Sequence, residues 1–72
     1  MITTVFQLFV CGGSLAGWKI QRYSKKVFRT RDGAEAYMPA FIELVANPKE
    51  IDALNKDDIH DRGIAKLELI DE

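Results

Sequence analysis

The chain has 72 residues, one cysteine and a net charge of −1, with 47% hydrophobic residues and seven aromatics. That composition builds a core and excludes a disordered tail, while a single domain of this length buries only about 60% of its unfolded surface. The lone Cys11 excludes an internal disulfide and points to a reducing compartment, the cytoplasm, and a homodimer would add stability to so small a core.

The first segment, residues 2–11, alternates as a strand. Ile2, Thr4, Phe6, Leu8 and Val10 share one face and are expected to meet a helix. Thr3, Val5, Gln7, Phe9 and Cys11 share the other, half-apolar face, which suits a central strand or one covered by a partner. The run has no basic residue ahead of it, is interrupted by Gln7 and is too short to cross a bilayer, so it reads as a strand and not as a leader or a membrane span. Gly12, Gly13 and Ser14 then read as the start of a loop reaching Gly17. Neither a lysine nor a helix start follows at phosphate-loop spacing.

Residues 18–29 read as a second strand, with Trp18 and Ile20 inward and Lys19, Gln21 and Tyr23 outward. Ser24, Lys25 and Lys26 mark a bulge or a tight turn; a true turn would split the segment and give a fourth strand.

From Thr30 to Asn47 the spacing turns helical. Ala34, Met38, Phe41, Ile42 and Val45 form one stripe, widened by Tyr37 and Leu44. Thr30 is a good N-cap, Asp32 suits the first turn, and Asn47-Pro48 marks the stop. Gly33 costs about 1 kcal/mol relative to alanine. Pro39 predicts a kink or a break into two short helices.

Asn47, Pro48 and Glu50 resemble the opening of a second short helix, pinned by Ile51 and Leu54. Residues 55–63 read as a polar, acidic surface loop, and residues 64–72 as a third strand with Ala65, Leu67 and Leu69 on one face. The whole, residues 1–72, is expected to be one α+β domain, β-β-α-β. Its three-stranded antiparallel sheet has order 2-1-3, and one main helix packs on one face.

The stretch VFRTRDGAEAY carries a weak resemblance. Val27, Phe28, Thr30, Ala34, Glu35 and Ala36, followed by the acidic Leu-rich end from Leu67 to Glu72, resemble a pattern in small uncharacterised phage and bacterial β-β-α-β proteins. Gly33 and Pro39 depart from it. The resemblance implies an accessory protein and carries over no catalytic residue.

Charge is the most informative functional feature. Residues 1–31 hold six bases and no acid; residues 32–72 hold four bases and eleven acids, so the net −1 is +6 beside −7. The basic residues Lys19, Arg22, Lys25, Lys26 and Arg29, interleaved with Tyr23, are a candidate contact surface for a protein, or for single-stranded nucleic acid or a nucleotide. Asp52, Asp57, Asp58 and Asp61 form a candidate acidic surface. Asp57, Asp58, His60 and Asp61 are the right residue types for a divalent ion, but their spacing matches no defined site, so neither metal nor cofactor is expected. No nucleophile–base set has local support. The leading expectation is a non-enzymatic protein-binding accessory protein in the cytoplasm, in the form of a phage-encoded inhibitor of a host or defence protein. The alternative is a nucleic-acid or nucleotide binder.

Overall fold

Four elements run in the order β1 (Ile2–Ser14), β2 (Lys19–Phe28), α1 (Arg31–Val45) and β3 (Leu54–Ile70) in a computed structural model that describes residues 2–50 and 53–70. The strands form one antiparallel sheet of order β2-β1-β3, so β1 is central and, among the described residues, no strand pairs with the outer edge of β2 or β3. This is the expected β-β-α-β arrangement. The expected second helix is absent among the described residues. Asn47 instead closes a turn, its side-chain Oδ1 accepting from Lys49 N at 3.1 Å and its carbonyl from Glu50 N at 3.1 Å; Ile51 and Asp52 lie outside the described residues.

The helix forms as its caps dictate. Thr30 is extended, and its Oγ1 accepts from Gly33 N at 3.0 Å. The chain leaves the helix at Ala46, whose N–H donates to the Ile42 carbonyl. Pro39 lies inside the helix and does not break it. Its ring is exposed, so the Glu35 carbonyl that loses a donor can turn to water. Ala34 and Phe41 are buried, with Tyr37, Met38 and Val45 packed around them. Leu44, expected to widen the stripe, is 62% exposed.

The helix side of the sheet supplies Leu8 and Val10 from the centre of β1, flanked by Phe6, Ile20, Phe28, Ile59 and Ile64. Ile2, at the far end of the same face, stays 63% exposed. A helix of 15 residues spans about 22 Å, whereas the molecule is 43 Å long, so one end of the sheet projects past it. Trp18 is also exposed, against the inward expectation, because it sits in the turn between β1 and β2 and donates its backbone N–H to Ser14 Oγ at 3.2 Å. That turn is tight enough to need Gly17 at φ +103.

Two irregularities set the geometry. In β2, Val27 pairs with Gln7 and Tyr23 with Phe9, so Ser24, Lys25 and Lys26 together face Leu8 alone. This is a bulge, and the strand stays whole rather than splitting in two. Ser24, buried in it, uses one hydroxyl twice: its Oγ accepts from the buried Leu8 N at 3.1 Å and donates to the Lys26 carbonyl at 2.6 Å. Ser24→Ala removes the hydroxyl that accepts from the buried Leu8 N. It is expected to cost about 1–3 kcal/mol of stability, read by urea unfolding, with faster amide exchange at Leu8.

The second irregularity lies in β3. The segment expected to be an acidic loop is strand, and β3 begins at Leu54. Cys11 pairs with Asp61, Gly12 with Ile59 and Ser14 with Leu54, so the extra residues bulge out of β3. Nor do Gly12, Gly13 and Ser14 open a loop; they are buried strand. A Cβ on Gly12 would collide with the Asp58 carbonyl, and Ile59 Cα lies 3.0 Å away, so only glycine lets the bulged β3 backbone come this close.

Candidate functional site

Residues that face each other across an antiparallel pair point to the same side of the sheet, which sorts the predicted site residues. Lys19 pairs with Gly13 and Tyr23 with Phe9, on the side away from the helix. Arg22 pairs with Val10, on the helix side, and its Nη1 donates to the Gln21 carbonyl at 3.1 Å. Lys25 and Lys26 are carried on the bulge, and Arg29 is exposed in the link to α1. The predicted basic stretch is therefore spread over more than one surface.

Four of its members do converge. Arg22, Tyr23, Lys25 and Lys26 line a cleft of about 500 Å³ between β2 and α1. The opposite wall is Tyr37, Phe41, Leu44 and Val45, and Glu50 also lines the cleft. Lys26 Nζ sits 5.1 Å from the centre of the Tyr37 ring, a cation–π distance, and Phe28 packs on the same ring at 5.3 Å. Lys19 and Arg29 do not line this cleft.

The predicted acidic surface is dispersed as well. Asp57, Asp58 and Asp61 are exposed on β3, flanked by Lys56 and Arg62 and separated by Ile59 and His60; Asp52 lies outside the described residues. Asp57 N donates to Asn55 Oδ1 at 3.1 Å, Asp58 lies against Gly13, and Asp61 faces Cys11 on the side away from the helix. Lys56 pairs with Glu43 of α1, and Arg31 lies 3.5 Å from Glu35. His60 Nε2 is 3.4 Å from Asp58 Oδ1. Among the described residues no three histidine, cysteine or acidic side chains converge as metal ligands would. Among them, too, no helix is long and apolar enough to cross a membrane.

A further surface went unpredicted. Among the described residues no element lies over the side of the sheet away from α1, and its register brings Val5 and Phe9 together with Tyr23 and Val27 on one flank and Leu67 and Leu69 on the other. Phe9 lies over Gly63, where an added Cβ would stand 2.8 Å from the ring, and its centroid is 6.2 Å from that of Tyr23. Val5 is buried beneath its neighbours, but Tyr23 is 52%, Val27 48% and Leu69 50% exposed. The signal was present in the half-apolar second face of the first strand and in the shared face of Ala65, Leu67 and Leu69. It could be joined only once the helix was known to lie on the other side.

Comparison of the chain with protein-family models, curated proteins and solved structures finds no match.

Proposed function

We propose that this chain is a non-enzymatic protein-binding accessory protein that docks on another protein through the open side of its sheet. The observation that carries this reading is the apolar surface of Phe9, Tyr23, Val27, Leu67 and Leu69 around Gln7, which no other element among the described residues covers. Exposed apolar patches of this kind mark interaction surfaces, and apolar and aromatic side chains with lysine and aspartate at one end suit a protein interface of apolar core and polar rim. The resemblance to small phage and bacterial proteins supports an inhibitory role against a host or defence protein, acting by occlusion. The unpaired Cys11 supports a cytoplasmic setting.

The test compares the native chain with Val27→Lys/Leu69→Lys, two exposed positions, with circular dichroism to check that the variant folds. The native chain, immobilised, is expected to retain a specific lysate protein in ~0.5 M salt, where surface charge is largely screened, and the variant to lose it. Equal capture by both removes the open face from the reading. A second copy covering the face would instead show as a dimer by light scattering that the variant converts to monomer.

A second reading, a single-stranded nucleic-acid or nucleotide binder, is supported by the basic residues and Tyr23 at the cleft. It predicts oligonucleotide binding that weakens steeply with salt.

A further inference from the structure

We propose that the cleft between β2 and α1 is a second site, one that takes an extended acidic peptide segment as an added strand on the outer edge of β2. This goes beyond the open-face docking above and does not depend on it.

Three features converge there. First, β2 is an edge strand, so among the described residues no strand receives the backbone groups along its outer side; the Gln21 carbonyl accepts from Arg22 Nη1, a side chain that a guest strand would displace there. A segment that adds to such an edge gains main-chain hydrogen bonds and places alternate side chains on the helix side. Second, the helix-side wall of the cleft is apolar and open. Leu44 is 62% exposed at its rim, Val45 is half-buried, and the buried Phe41 forms the floor. A volume of about 500 Å³ suits an apolar side chain or two of a guest. Third, the β2 side is basic. From Lys19 to Phe28 the strand has four bases and no acid. The bulge pushes Lys25 and Lys26 outward, and the Ser24 hydroxyl holds it in shape. No ion pair to Lys25 or Lys26 occurs among the described residues, and a guest carboxylate would supply one.

The cleft also selects among anions. Lys26 already covers the Tyr37 ring, so that ring is not a free platform for a nucleobase. Lys19 and Arg29 lie outside the cleft, so the bases do not track a phosphate backbone. Glu50, on the cleft lining, disfavours a second acid beside it.

The experiment is fluorescence anisotropy with four labelled probes: a peptide of alternating glutamate and leucine, one of alternating lysine and leucine, an all-glutamate peptide and a thymidine oligonucleotide. Only the glutamate–leucine peptide is expected to bind well. Its affinity should fall roughly tenfold in Lys25→Glu/Lys26→Glu and again in Leu44→Lys, all exposed positions whose folding circular dichroism checks. Amide exchange should slow within residues 19–23 of β2 when the peptide is added. Equal binding of the all-glutamate peptide or of the oligonucleotide would overturn the proposal in favour of a plain anion or nucleic-acid surface. Equal binding of the lysine peptide, no binding of any probe, or exchange protection on β3 instead of β2 would overturn it outright. The Val27→Lys/Leu69→Lys variant is expected to keep peptide binding, so this site and the open-face reading fail separately.

Discussion

Phe41→Ala is expected to cost about 3–5 kcal/mol, a large share of the stability of so small a domain. Phe41 is 2% exposed and belongs to the buried cluster of Leu8, Val10, Ala34 and Leu54, where α1 meets β1 and β3. Cutting a buried phenylalanine to alanine costs about 3–5 kcal/mol in lost burial and residual cavity. At roughly 0.05–0.15 kcal/mol per residue, a domain of 72 residues has about 4–11 kcal/mol in all. The substitution therefore removes a large fraction of the total. Urea unfolding followed by circular dichroism reads it directly. A loss below about 1 kcal/mol would mean that this ring does not sit at the junction of helix and sheet. Leu44→Ala, one turn along and 62% exposed, is the control and should change stability by less than about 0.5 kcal/mol.

The second large effect is expected at Gly12. A side chain there meets the Asp58 carbonyl and Ile59 Cα, both backbone, and Leu54 Cδ1 at 3.0 Å. Backbone cannot swing away, so Gly12→Val must push β3 off β1 along the whole bulged segment. Overpacking of this kind costs about 1–3 kcal/mol, and more where main chain must move. Gly13→Ala is the informative partner. Its obstacle is the Asp58 carboxylate, the far end of an exposed side chain, so it should be much milder. Thermal melts give the size of each effect. Amide exchange over residues 54–61 gives the location, and should rise sharply in Gly12→Val alone. Equal melts for the two variants would show that β3 does not press on β1 at this point.

Both predictions concern places where the two outer elements meet β1, and they mark how far a linear reading reaches. The start and the buried side of the helix were legible: Thr30 caps it as its hydroxyl requires, and Ala34 and Phe41 are buried as their spacing requires, though Leu44 is not. The continuity of that helix through Pro39 was not legible, because the fate of the Glu35 carbonyl depends on whether that face meets water or protein. Strand β3 shows the clearest failure. Its inward residues Leu54, Ile59 and Ile64 recur every five positions, since bulges shift the phase between them. A search for a two-residue period finds no strand in such a segment, and its acids and polar residues then read as loop.

The candidate surfaces follow the same division. That residues 19–29 are basic, and that the second face of β1 is half apolar, were properties of residue order alone. Which bases share a cleft was not. The bulge at Ser24 rotates Lys25 and Lys26 relative to Lys19 and Tyr23, and the end of the strand leaves Arg29 apart. Likewise Asp57, Asp58 and Asp61 looked like one acidic patch and are dispersed by the irregular pairing of β3.

Local order along the chain thus determined that there are three strands and one capped helix, and the sign of charge on each half, because these depend on neighbours within a few residues. The choice of sheet face covered by α1, the close approach of β3 at Gly12, and the pairing of a basic edge strand with an apolar helix flank were decided only in three dimensions. They depend on contacts between segments far apart in the chain, whose registers are set by bulges and glycines that have no period to read.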